Sequence, residues 1–368
     1  MSEASIKGIA AALSLSIGTV DRALHGRQGI NEQTRSRVLD KARELGYRPN
    51  YAARSLKLNR SLRVGVFLPA EFGLFFDAIR DGIRSAAVAS SLVGLEPVFY
   101  RYPRLGEGDI EMLEAHREER FDACIVAPGN PEPMEPMLRS LIEDGTPVFC
   151  VATDAPRSGR MAAVTVEAYS SGAMAAELIA RMLPTATHET SVAVMTGELS
   201  TLDHAEKLRG FRDGIHRWAS GVSLLPVAEC FEQPQRAYDL ACSMLEGARR
   251  PDAIYVNKAH SAPVLRACEE HGLAGRVLLI ATDFFPEMVP HLESGAVAAT
   301  LHQRPLTQGK VVVEQLIRYL TEGKVERVET RLAPHLVMRS NLHLFLDAET
   351  RGMEDESLAQ TRTPDYQK

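Results

Sequence analysis

In the stretch Ile17-Gly18-Thr19-Val20-Asp21-Arg22-Ala23-Leu24, apolar Val20, Ala23 and Leu24 recur at helical spacing, which turns Gly18, Asp21, Arg22 and His25 outward. A guanidinium on such a face can donate two hydrogen bonds to one guanine edge in a major groove, worth roughly 1–3 kcal/mol of discrimination. Arg22 is therefore the leading base-reading candidate, and a surface arginine touching only phosphate is the competing use. Asp21 beside it is repelled by phosphates unless it accepts from a cytosine amino group or pairs with Arg22 or Arg35. Its role stays open.

A second set of chemical groups stands at the ends of apolar, strand-like runs. Phe75 and Phe76 follow the first run, Asp154 follows the run at 147–152, Asn257 ends the run at 253–257, and Asp283 follows the run at 277–281. Carboxylates and amides that pair with hydroxyls, with a ring against an apolar sugar face, are the groups that hold polyols. Helix capping or an interlobe ion pair would use the two aspartates equally well, and core packing would use one of the phenylalanines. No catalytic motif accompanies them: G-x-S-x-G, H-E-x-x-H and C-x-x-C are absent, and neither Gly309-Lys310 nor Gly323-Lys324 has the preceding glycine of a phosphate loop. The expectation is binding without turnover, with no catalytic residue, metal or cofactor.

Charge separates the two sets. The chain of 368 residues carries a net −6, yet residues 1–60 hold eleven Lys and Arg against five Asp and Glu, a net +6 that leaves −12 for the remainder. A basic head on an acidic body points to a polyanion held by the head alone, and a merely solvated basic face is the other reading. With 45% apolar and 24% charged residues the chain can bury a large core and form two or three compact units. No secretion signal or bilayer-length apolar run is read, so the expected location is cytoplasmic, with no membrane partner. The five cysteines are odd in number and widely spaced, which suits reduced core thiols.

These groups require particular elements. Ile6, Ile9, Ala10 and Leu13, then Val20, Ala23 and Leu24, then Val38, Leu39, Ala42 and Leu45 predict three short helices, with Ser5, Ser16 and Asn31 as their N-caps. Gly46-Tyr47-Arg48-Pro49 interrupts the pattern before a further short helical stretch at 50–57. From Leu62 onward, strand-like runs at 63–68, 95–100, 122–127, 147–152, 191–195, 253–257 and 277–281 alternate with helical patterns at 76–89, 170–183, 204–218, 263–271 and 308–320. That alternation predicts parallel sheets with crossover helices, in two lobes with a ligand site between them at the carboxyl ends of strands.

The residues from Ser5-Ile6-Lys7-Gly8-Ile9-Ala10 through Tyr47-Arg48-Pro49-Asn50 to Ala53-Arg54-Ser55-Leu56 closely resemble the DNA-binding head of the lactose-repressor (LacI/GalR) family, and the body resembles the sugar-binding-protein fold that family carries. The resemblance implies a small all-α helix-turn-helix head and an α/β periplasmic-binding-protein-like body of two lobes with parallel sheets. It implies a homodimer on a pseudo-palindromic double-stranded operator, controlled by a small carbohydrate-like effector, most simply as a repressor. A sugar-binding protein or sugar-modifying enzyme without a regulatory role is the alternative. The domain limits expected are 1–49 for the head, 50–61 for a hinge helix and linker, 62–346 for the ligand-binding and dimerisation body, and 347–368 for a disordered tail.

Family positions matched by Ile17 and Gly18 approach base edges. Ile17 would meet a thymine methyl, or, one turn before Val20, lie in the core; Gly18 would contribute close backbone approach. Ser5, Ser16, Thr19, His25, Asn31, Thr34, Asn50 and Ala53 fall where relatives hold the DNA backbone, and capping is the other use of several of them. Leu56 matches the hinge leucine that wedges into a minor-groove step, although residues 50–57 are too few for a stable isolated helix. In the body, Gln303 lies in a segment resembling the final crossover. Lys207 replaces an arginine that relatives often turn toward ligand, and Lys258 replaces an aspartate after Asn257, a change that would suit an acidic or phosphorylated sugar.

Overall fold

The structure is a computed structural model and describes residues 5–24, 29–45, 61–70, 73–90, 94–183, 190–258 and 261–351. The chain forms two compact units, one of residues 1–60 and 317–325, the other of 61–316 and 326–368.

The head contains α1 (Ile6–Leu13), α2 (Ile17–Leu24) and α3 (Glu32–Glu44). Each is short, and their stability comes from a shared core of Ile9, Ala10, Val20, Ala23, Val38 and Ala42. The three expected caps are formed: Ser5 Oγ accepts from the Gly8 N–H at 3.0 Å, Ser16 Oγ from Thr19 at 3.0 Å, and Asn31 Oδ1 from Thr34 at 2.8 Å. Ser14, in the left-handed region at φ 53°, turns the chain from α1 into α2.

The body begins with β1 (Leu62–Pro69), α4 (Gly73–Ala89), β2 (Leu95–Tyr102), α5 (Asp109–Ala115), β3 (Ala123–Val126), α6 (Pro131–Glu143), β4 (Val148–Val151) and β5 (Ala162–Val166). It continues through α7 (Ala168–Met182), β6 (Ser191–Thr196), α8 (Leu202–Trp218), β7 (Ser223–Leu224), β8 (Ala228–Glu229), α9 (Pro234–Glu246), β9 (Ala253–Val256) and α10 (Ala262–Glu270). The last elements are β10 (Leu278–Thr282), α11 (Val289–Ser294), β11 (Ala299–His302), α12 (Pro305–Glu322), β12 (Glu329–Leu332), β13 (His335–Val337) and α13 (Leu342–Arg351). The helix α13 thus runs past Leu346.

Two sheets divide these strands. The first has the order β12-β5-β4-β3-β1-β2 and is parallel throughout; the second has the order β13-β11-β10-β9-β6-β7, with β8 also on β6 and with β13 antiparallel. Strands such as β3, β4, β6 and β9 are buried along their whole length, which is why they read as continuous apolar runs. The chain passes between the sheets three times, from β5 to α7, from β11 to α12 and from β12 to β13, and those crossings define two lobes. Separate cores centre on Phe67, Tyr102, Met134 and Cys150 in one lobe and on Val194, Phe211, Tyr255 and Ile280 in the other.

Helices α7 and α8 approach backbone to backbone. A Cβ on Gly172 would lie 1.8 Å from the Lys207 carbonyl oxygen, and one on Gly210 would lie 2.0 Å from that of Tyr169. Neither neighbour is a side-chain end that can swing aside, so Gly172→Ala is expected to lower the unfolding free energy by about 1–3 kcal/mol through overpacking, despite alanine's better helix propensity. A urea midpoint equal to or above that of the parent would contradict this packing.

Candidate functional sites: an exposed helix face and an interlobe cleft

On α2, Val20 and Ala23 are buried while Ile17, Gly18 and Arg22 are exposed. Ile17 is 52% exposed, so its side chain stands outside the head core. Thr19 is half-buried and its Oγ1 lies 2.8 Å from Ser16 Oγ. Thr34 is half-buried and Asn31 exposed at the start of α3. Helix starts of this kind carry N–H groups and positive dipole ends that favour phosphate. His25, Asn50, Ala53 and Leu56 lie outside the described residues.

In the body, a recess of about 40 Å³ between the lobes is lined by Phe75, Phe76, Thr153, Asp203, His204, Glu232 and Gln303, among others. Phe75 and Phe76 stand edge to face, 5.0 Å between ring centroids, at the start of α4. Gln303 is the centre of a buried network. Its backbone N–H and Nε2 donate to Asp283 Oδ1 and Oδ2 at 2.9 and 2.6 Å, and its Oε1 accepts from Lys207 Nζ at 2.5 Å. Lys207 also donates to Asp203 Oδ2 at 2.6 Å. Gln308 ties this network to the other lobe's strand end, accepting from the Ala152 N–H at 3.1 Å and donating to the Gln303 carbonyl at 2.8 Å.

Of the residues singled out by sequence, Phe75, Phe76 and Gln303 line the recess, and Lys207 and Asp283 reach it through Gln303. Asn257 lies deeper, its Nδ2 donating to Thr196 Oγ1 at 3.2 Å and to the His204 carbonyl at 3.0 Å. Asp154 lies on a neighbouring cavity, with Arg160 donating to both of its oxygens at 2.7 and 2.5 Å. Burial alone would lower the Arg160 pKa, but the hydrogen bonds and charge of Asp154 raise it above the usual value.

Lys258 does not offer an open positive charge to an acidic sugar. Its Nζ lies 3.2 Å from Glu232 Oε2, and the two side chains are 1% and 4% exposed. The other oxygen, Glu232 Oε1, faces His204 Nε2 at 3.6 Å and has no hydrogen-bond partner among the described residues. Glu232 sits in the left-handed region at φ 58°, and its carboxylate occupies space beside Gly197, where a Cβ would lie 1.5 Å from Oε1. Ala152, Phe231, Asp283 and Arg304 also have positive φ. Such backbone costs about 1–3 kcal/mol per residue and gathers here around the interlobe recess. Sequence reasoning missed His204 and Glu232, 28 positions apart, because only the strand order β9-β6 and the pairing of β8 with β6 bring their loops together. Asp203 carried a local signal, standing four residues before Lys207 on one helix face.

Comparison with known proteins matches residues 5–50 to "Bacterial regulatory proteins, lacI family" and residues 64–324 to "Periplasmic binding protein domain". The HTH-type transcriptional repressor PurR of Aliivibrio fischeri (strain MJ11) is 24% identical over 355 residues, 92% of this chain and 98% of that protein. The catabolite control protein A of Priestia megaterium is 25% identical, over 73% of this chain and 78% of the relative. Among solved structures, the glucose-galactose binding protein GanP from Geobacillus stearothermophilus has a TM-score of 0.69 at 22% identity, covering 77% of this chain and 99% of that one. Among the described residues no helix is long and apolar enough to cross a membrane. With its helix-turn-helix head and its periplasmic-binding-protein-like body of two lobes, the chain belongs to the lacI family of bacterial DNA-binding transcriptional regulators.

Proposed function

We propose that this protein is a cytoplasmic, homodimeric repressor whose two heads grip a pseudo-palindromic operator and whose interlobe cleft takes a sugar or sugar derivative as effector. The observation that carries the DNA half is the division of α2, with Val20 and Ala23 inward and Ile17, Gly18 and Arg22 outward. Arg22 is the guanine reader in this reading, Ile17 packs on a thymine methyl, and Gly18 lets the backbone approach. Ser5, Ser16, Thr19, His25, Asn31, Thr34, Asn50 and Ala53 position the head on phosphates, and Leu56 supplies the minor-groove wedge. Residues 50–61 connect the head at 1–49 to the body at 62–346.

The effector half rests on a cleft bounded by both lobes and built from rings, amides and carboxylates. A ligand that binds one separation of the lobes better than another shifts the population able to hold DNA by that differential affinity. Phe75 and Phe76 are the ring platform, with Gln303, Asp283, Lys207, Asn257 and Asp154 as the supporting polar groups. In a gel-shift titration with the DNA upstream of its own gene, Arg22→Ala is expected to weaken binding by about 1–3 kcal/mol, roughly 5- to 150-fold. A variant that binds as tightly as the parent, with the same sequence preference, would remove Arg22 from base reading. Failure of the parent protein itself to shift any such DNA would end the operator proposal.

A further inference from the structure

Next to the recess lies a larger cavity of about 130 Å³, bounded by Thr165, Glu167, Glu206, Glu329 and Arg331. The two cavities share Thr153 from one lobe and Asp203 from the other. The recess, at about 40 Å³, has room for little more than a water, so a ring enters there only when the lobes part. The larger cavity, by contrast, is close in volume to the roughly 150 Å³ engineered cavities that take up benzene.

Two observations indicate what this chamber accepts. Thr153 is 2% exposed, and its Oγ1, like Asp203 Oδ1, is a buried polar atom without a hydrogen-bond partner among the described residues. Leaving such an atom unsatisfied costs about 1–3 kcal/mol, a cost that a ligand donating to it removes. The second observation is the state of the nearby cations. Arg160 is bound to Asp154, Lys207 to Asp203, Arg209 to Glu206, and Arg331 to Glu329 at 2.9 Å with Glu167 at 3.6 Å. Each positive group is thus matched to a carboxylate, while Asp203 Oδ1 and Glu232 Oε1 remain as acceptors on the two cavities. The surroundings favour a group rich in donors and disfavour a phosphate or carboxylate.

We propose that the 130 Å³ chamber is a second ligand subsite, which takes a neutral, hydroxyl-bearing ring, and that the effector spans both cavities and is longer than one sugar ring. This rests on the reading of the cleft as a sugar-effector site. Thr153 and Asp203, on the shared wall, accept from ring hydroxyls that flank the link between the two rings.

The test is calorimetric titration of the full chain with glucose, galactose and a phosphorylated hexose, and with the neutral two-ring sugars maltose, lactose, melibiose, cellobiose and sucrose. The expected result is that at least one two-ring sugar binds tenfold or more tighter than either single ring, and that the phosphorylated hexose binds no tighter than glucose. Thr165→Met, which fills the chamber, and Val88→Ala, an exposed position on α4 that lines neither cavity, are compared after melting curves confirm that both are folded. The first should abolish the two-ring advantage and the second should change it by less than tenfold. Binding of single rings with no two-ring advantage, an advantage that survives Thr165→Met, or tighter binding of the phosphorylated hexose overturns the subsite while leaving the cleft as a sugar site. Binding of none of these sugars by a protein that still shifts its operator overturns the sugar-effector reading, and the subsite with it.

Discussion

Arg160→Ala should lower the unfolding free energy by about 3–5 kcal/mol, the range found when one partner of a buried ion pair is removed. The Arg160 and Asp154 side chains are 3% and 11% exposed, and the contact is two-pronged, Nε to Oδ1 and Nη2 to Oδ2. The guanidinium also donates to the Val328 carbonyl at 3.1 Å and approaches Glu329 at 3.4 Å, so it fastens the loop after β4 to the edge strand β12. Alanine leaves the Asp154 carboxylate with the Ala155 N–H at 2.7 Å and the Cys150 thiol, which are weaker partners than a guanidinium. Asp154→Ala should cost a similar amount, and the double replacement Arg160→Ala with Asp154→Ala distinctly less than the sum, because no charge is then stranded. Urea unfolding of the four proteins gives the coupling. Additive losses, or a loss for Arg160→Ala below about 1 kcal/mol, would mean that water reaches the pair and does the work of the missing partner.

This pair also marks where sequence reading reaches its limit. Asp154 stands after an apolar strand, a position that suits a ligand acceptor, and nothing in the sequence distinguishes that use from a link to an arginine six residues away on an irregular loop. Features set by local chemistry were legible. The caps Ser5, Ser16 and Asn31 act within three residues, and the continuous apolar runs of β1, β3, β4 and β9 follow from burial on both faces of a parallel sheet. Strand β12 was not legible, because Glu329-Thr330-Arg331-Leu332 is a half-exposed edge that carries no apolar run. Ile17 was ambiguous for a different reason: helical spacing relates it to Val20, but it is the first residue of α2, and the head core is filled by Ile9, Ala10, Val20, Ala23, Val38 and Ala42 without it. The polar cleft was half legible. Strand ends named Phe75, Phe76 and Gln303, whereas Glu232, His204 and Thr153 converge only through the strand order and the crossings between lobes.

Lys258→Ala is expected to lower stability by about 3–5 kcal/mol and to do so without any gain or loss of a ligand phosphate contact. The charge exchange relative to an aspartate looks, in sequence, like a change of ligand class. In the fold it is a change of partner, because Glu232 lies 3.2 Å away and both side chains are all but fully buried. Removing the ammonium strands a carboxylate that already has one oxygen without a hydrogen bond and that is held beside His204 and the Gly197 backbone. Glu232 cannot retreat to solvent cheaply, since its own backbone is fixed at φ 58° in a tight connection from β8 to α9. Glu232→Leu alone should also be harmful, because it removes the carboxylate 3.2 Å from the buried Lys258 ammonium. The pair Lys258→Ala with Glu232→Leu should lose distinctly less than the sum of the single variants, and thermal and urea unfolding of all four proteins measures it. A double variant as unstable as the sum of the single ones would show that the two charges act separately, and Lys258 would then again be a candidate for direct contact with an anionic effector.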